Sequence, residues 1–213
     1  MMSTGCIIKD MKSLSEIDTV SKRSTRAAGY SWGVSEEVGK NIRLLEMFSF
    51  PGIKNLNYFF KKKEGLKLKN LNIIREDNIA EDSQYCPIIA GTGFLDQVKT
   101  LEIFDEIRIK RMSFPLLFLP FVSRASEVTG KKIYLKIDDK EFLLNFNNNI
   151  YSNHLKNEVI ELGENIIIKI LDNKDSFSEN EWKELYKLSE NTFVEENDSL
   201  KNNGAGAGLT DND

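Results

Sequence analysis

Histidine is nearly absent: His154 is the only one in 213 residues, so a His-based metal site and a Ser-His-Asp relay both lack most of their parts. It stands in an Asn-rich connector and reads as a loop residue. Cysteine is almost as scarce. Cys6 and Cys86 are far apart, with no second Cys or His at metal-ligand spacing, which fits a reducing compartment. Cys86 precedes a proline and has no basic neighbour in sequence, so it reads as a small buried hydrophobe rather than a nucleophile. Positive charge is not in excess either: 29 basic against 33 acidic side chains leave a net charge of −4, and a nucleic-acid partner is not expected. Nor is there a long apolar run. The 114–122 stretch is about half of the roughly 20 residues a bilayer requires, and Pro115 and Pro120 interrupt it, so it reads as core rather than membrane. Lys9, Asp10 and Lys12 stand where a secretory leader would need unbroken apolar sequence. The expected location is therefore cytoplasmic.

What is present suffices for a core. With 40% hydrophobic residues, and below the roughly 250 residues at which one core divides, the chain is expected to form a single domain, 1–213. Within it we distinguish an N-terminal segment (1–12), a Lys/Asn/Glu/Asp-rich surface excursion (61–84) and a Gly-rich acidic tail (197–213). Ser13 with Glu16 forms a capping box that should open a helix with Ile17, Val20, Ala27 and Ala28 inward and Gly29 as its stop. Val34, Val38, Ile42, Leu45 and Phe48 predict a second helix, with Glu36 and Glu37 in its first turn, where carboxylates complement the helix dipole. Pro51 should open a third, with Ile53, Leu56 and Phe60 inward. A second capping box, Ser178 with Glu181, predicts a last helix with Trp182, Leu185, Ser189 and Phe193 as a docking face.

Between these, 85–90 reads as an apolar stretch ended by Gly91-Thr92-Gly93. Leu101, Ile103, Ile107 and Ile109 alternate with Glu102, Glu106, Arg108 and Lys110 as a strand does. A helix should run from Pro120 to Thr129 and stop at Gly130. Two hairpins follow, one across Asp138-Asp139-Lys140 and one taking Val159-Ile160 through Gly163-Glu164 into Ile166, Ile168 and Ile170. The expected fold class is α+β: N-terminal helices packed on a mostly antiparallel sheet of hairpins, with a C-terminal helix and a Gly-rich tail.

Two blocks carry a resemblance: 26–40, containing Arg26-Ala27-Ala28-Gly29-Tyr30-Ser31-Trp32-Gly33, and the 204–213 tail. Together they resemble a functionally uncharacterised bacterial domain-of-unknown-function family of about this length. Cys86-Pro87, Asp96, the 116–121 stretch and Trp182 fall where that family's pattern puts them. The resemblance implies no reaction and no catalytic residue.

Chemistry must therefore be sought in the residues. Gly91-Thr92-Gly93 lacks the third glycine of a dinucleotide fingerprint. In the tail, Thr210, Asp211, Asp213 and the terminal carboxylate concentrate oxygens of the kind hard cations prefer, while a disordered end is the plainer reading. Tyr30, Ser31 and Trp32, with Arg26 at hand and Glu36 and Glu37 following, could present an aromatic platform, a hydroxyl and carboxylates at a turn between helices. The ordinary reading has Trp32 as a core anchor, Ser31 or Ser35 as an N-cap and the glutamates as dipole partners. Three functional classes result. The first is a small-molecule-binding or accessory protein with a pocket between the 30–37 turn and the tail. The second is a carboxylate enzyme using Glu36, Glu37 and Asp96, in a magnesium-dependent version with Asp211 and Asp213. The third is a protein-interaction module presenting its C-terminal tail.

Overall fold

The computed structural model describes residues 11–154 and 158–192, and the chain divides into two compact units, residues 1–173 and 174–213. In the first unit the capping box closes in both directions: Ser13 Oγ accepts from the Glu16 amide at 3.2 Å and Glu16 Oε2 accepts from the Ser13 amide at 2.8 Å. Helix α1 accordingly runs Leu14–Ala27. Its inward face differs from the expected one, since Val20 is 58% exposed while Ser21 and Thr25 are buried. The cause lies on α2 (Trp32–Met47), where a Cβ on Gly39 would stand 2.6 Å from the Asp18 carboxylate. Helices this close exclude bulky side chains. Small hydroxyls fit because they bond back to their own helix, Thr25 to the Ser21 carbonyl and Ser35 to the Ser31 carbonyl, both at 2.7 Å.

Val38, Ile42 and Leu45 of α2 are buried, as their spacing predicts. Helix α3 (Gly52–Lys62) follows Pro51 and buries Leu56 and Phe59, leaving Ile53 38% exposed and Phe60 only partly covered. The middle of the chain departs furthest from expectation. The 85–90 stretch does not stop at Gly91: α4 (Pro87–Leu101) passes through both glycines, and β4 (Ile107–Ser113) begins only after it. Gly91 is required where α4 meets α5 (Leu119–Thr129), because a Cβ there would sit 2.2 Å from the Phe121 ring. Glycines that resemble a chain stop here permit close packing within a helix.

Residues 61–84 contribute three short strands, β1 (Leu68–Lys69), β2 (Asp77–Ile79) and β3 (Gln84–Tyr85, which ends just beyond the stretch), and bury Leu71, Ile74 and Ala80. Strands β5 (Lys132–Ile137), β6 (Lys140–Asn145), β7 (Asn149–Ser152) and β8 (Leu162–Leu171) complete the sheet. Its order is β1-β3-β4-β8-β5-β6-β7, with β2 pairing β4 as well. The β1/β3, β2/β4 and β3/β4 pairs are parallel and the remaining four antiparallel, so the sheet is mixed. The β5–β6 hairpin forms as expected, Ile137 opposite Lys140. The second hairpin does not form: β8 passes straight through Gly163-Glu164 and pairs β4 on one side and β5 on the other. Gly163 is needed because Pro115 and Ile137 crowd it, at 3.1 and 3.3 Å from where a Cβ would be.

One face of the sheet is apolar, with Ile107, Ile109, Ile133, Leu135, Ile137, Leu144, Ile166 and Ile168 all buried, and the fold class is α+β. In the second unit, α6 (Glu179–Ser189) starts at the Ser178/Glu181 capping box. Phe177, just before the cap, stacks on Trp182 at 5.5 Å, a hydrophobic staple that fixes the entry of the chain. Phe193 and the 204–213 tail lie outside the described residues. Among the described residues no helix is long and apolar enough to cross a membrane.

Candidate functional site

The bend between α1 and α2 is fixed by its backbone. Gly29 has φ +94°, in the left-handed region. The Gly29 amide donates to Arg26 O (3.1 Å) and the Tyr30 amide to Thr25 O (3.3 Å), the paired bonds of a Schellman stop. Ser31 then caps α2 by accepting from the Val34 amide at 3.3 Å. This turn buries Tyr30, whose hydroxyl lies 3.4 Å from the Cys86 thiol at the start of α4. Burial, with the Cys86 thiol beside it, pushes the Tyr30 phenol far above its ordinary value of 10, so it stays neutral.

Two cations are tied to the same turn. Arg26 Nη1 donates to the Tyr30 carbonyl at 2.8 Å, and its guanidinium stands 5.5 Å from the centroid of Trp32. Lys63 Nζ donates to the Ala28 carbonyl at 2.8 Å and stands 4.5 Å from the centroid of Tyr30. Trp32 is not a core anchor: it is 57% exposed, its ring covered on one side by Arg26. Next to Cys86, Lys69 lies 5.8 Å from the Tyr85 ring. Arg26, Lys63 and Lys69 thus sit over rings, and among the described residues none of them pairs with a carboxylate.

The glutamates are placed differently from expectation. Because α2 begins at Trp32, Glu36 and Glu37 fall beyond its first turn, outside the reach of the helix dipole. Glu36 is exposed. Glu37 is committed: Lys40 donates to it at 2.8 Å, and it pairs across to Arg124 of α5, which also donates to Asn41 Oδ1 at 3.4 Å. Partial burial pushes the Glu37 carboxyl up, but hydrogen bonds and charge from Lys40 and Arg124 outweigh it and hold the group below its ordinary 4.5. A depressed pKa contributes stability that is present above the ordinary value and lost as pH falls through the folded-state value. Glu37→Gln should therefore flatten the fall in melting temperature below about pH 4.5, removing roughly 0.5–1 kcal/mol at neutral pH, as calorimetry across pH 2–7 would show.

Asp96 is exposed on α4, and among the described residues no group of three His, Cys, Asp or Glu side chains could hold a metal ion. His154 is a loop residue, as expected, and is buried, its ring edge-on to Phe142 at 6.4 Å. Thr210, Asp211 and Asp213 lie outside the described residues. A separate groove of about 1010 Å³ runs along the start of α1, lined by Leu14, Ile17, Val20 and Ile53 with Glu16 and Glu46. Its carboxylates already serve as helix caps, Glu16 in the capping box and Glu46 accepting from the Ile53 amide at 2.8 Å. At the bend, cations without an ion pair meet an exposed ring; Lys61 over the exposed Tyr58 ring, at 6.0 Å, is a second such pairing among the described residues. The sequence pointed to Tyr30, Ser31, Trp32 and Arg26 but not to Lys63, Lys69 or Cys86. The Lys61-Lys62-Lys63 run gives no sign that two of its members turn toward aromatic rings, Lys61 to Tyr58 and Lys63 to Tyr30.

Residues 12–85 match the model of a family described as a protein of unknown function, DUF3726. This is a domain-of-unknown-function family, as the resemblance implied, and the matched segment holds the 26–40 block together with Lys63, Lys69 and Tyr85. No curated protein and no solved structure matches the chain.

Proposed function

We propose that the chain is a small-molecule-binding or accessory protein whose ligand face is the 26–37 bend. One observation carries this reading: an indole more than half exposed at a rigid turn, with Arg26 held over it by a backbone carbonyl. A water-exposed indole that is already oriented loses little side-chain entropy when a flat ligand covers it. The carboxylate-enzyme reading has less support, because Lys40 and Arg124 already occupy Glu37 and keep it ionised. The tail-presenting reading concerns residues outside those described. A cytoplasmic location belongs to the same proposal and is supported by the buried free thiol of Cys86.

The test uses the two tryptophans of the chain. In a Trp182→Phe background, Trp32 is the only source of indole emission, so a panel of small aromatic compounds can be read directly at the site. Binding should shift that emission, and Trp32→Ala should abolish binding while changing stability by no more than about 0.5 kcal/mol, as expected for an exposed residue. A ligand that binds without altering Trp32 emission, and equally well to Trp32→Ala, would place the site elsewhere.

A further inference from the structure

We infer that the ligand of the bend carries an anionic group, a carboxylate or phosphate, beside its flat part; this rests on the proposed ligand face. The chain holds more acidic than basic side chains, 33 against 29, and several cations placed elsewhere find an acid: Lys62 with Glu161, Arg108 with Glu106, Arg124 with Glu37, Lys131 with Glu102 and Asp172. The three cations around the Tyr30–Cys86 contact are not among them. Arg26, Lys63 and Lys69 rest on rings and carbonyls, although Glu64 and Glu36 are close by in sequence. Among the described residues these three cations form no ion pair, and Arg26 and Lys63 are tied to one turn.

These charges are also held in position. Arg26 and Lys63 donate to the carbonyls of Tyr30 and Ala28, atoms two residues apart on one turn and so within about 7 Å along the chain. Each cation uses one donor in that bond, leaving two of the ammonium's three N–H groups and four of the guanidinium's five for an incoming oxygen, in accord with their general donor inventory of about three and five. The Tyr30 hydroxyl stays neutral and faces Cys86, so it adds no competing negative charge. A cation covering a ring and pinned by a carbonyl has already lost its rotamer freedom, and an anion that meets two such groups gains charge-assisted hydrogen bonds at small further cost in order. Trp32 beside Arg26 supplies the surface for the flat part.

The probes are phenyl phosphate, phenylacetate and the uncharged phenylacetamide, titrated against Trp32 emission in the full chain carrying Trp182→Phe. The two anions should bind at least about tenfold more tightly than the amide, and raising salt from about 50 to 500 mM should erode that difference. Arg26→Gln and Lys63→Gln should each remove most of the preference, and Lys63→Arg should restore it in part, which a merely structural lysine would not do. Preference for phosphate or for carboxylate identifies the headgroup, and either supports the inference. If the amide binds as well as the acids, the anion inference is overturned while the ligand face stands. If none of the three alters Trp32 emission while other compounds do, the inference again fails alone. If no compound of the wider panel alters it, the ligand face falls and takes the inference with it.

Discussion

Phe94→Ala should cost about 3–5 kcal/mol of unfolding free energy and lower the calorimetric melting temperature by roughly 10 °C. Phe94 is fully buried in α4, and its ring meets Phe118 edge-to-face at a centroid distance of 5.7 Å, at the entry to α5. Truncation removes the transfer energy of the ring and leaves a cavity between the two helices. Those walls are set by Gly91 and Phe121 and cannot close readily. A loss under about 1 kcal/mol would mean that α4 and α5 collapse around the gap, and that the core here is far softer than its contacts indicate.

Gly91→Ala sets two rules against each other. Helix propensity alone favours the alanine by about 1 kcal/mol. Packing opposes it, because the new Cβ would lie 2.2 Å from Phe121 Cδ2 and 2.5 Å from Cγ. Side chains in a filled interior have no free volume to yield, so overpacking should win and the variant should lose about 2–3 kcal/mol. Chemical denaturation of both single variants and of Gly91→Ala with Phe121→Leu checks the cause. If the clash is the reason, the smaller side chain at 121 recovers part of the loss, giving a coupling of about 1 kcal/mol or more. A stabilised Gly91→Ala would mean that α4 stands further from α5 than the Cβ distance states.

What could be read in the sequence was local. Ser13 with Glu16 and Ser178 with Glu181 are cap pairs three residues apart, and both close as expected. The buried face of α2 and the β5–β6 hairpin likewise follow from spacing within one element or two adjoining ones. The misread parts share a cause. Gly91, Gly93 and Gly163 look like chain stops, but each answers to a neighbour remote in sequence: Phe121, the Leu71 carbonyl and Pro115. The site divides in the same way. Arg26, Tyr30, Ser31 and Trp32 fall within seven consecutive positions and were found together. The Tyr30–Cys86 contact spans 56 residues, and the Lys63–Ala28 bond spans 35, distances over which no periodicity carries information. Of the two readings of Trp32, an aromatic platform at the turn or a core anchor, the structure has the exposed one, against the usual burial of large aromatics.

Strand β8 has a consequence for synthesis. Among the described residues it stands between β4 and β5 and is the only strand to pair with both, yet it is the last of their eight strands to leave the ribosome. Until Leu171 has emerged, the β1–β4 half and the β5–β7 half of the sheet share no edge. The nascent chain must therefore keep two unzipped borders from meeting other chains while it waits for its final strand. Truncation before residue 162 should yield aggregates rather than a smaller soluble fold.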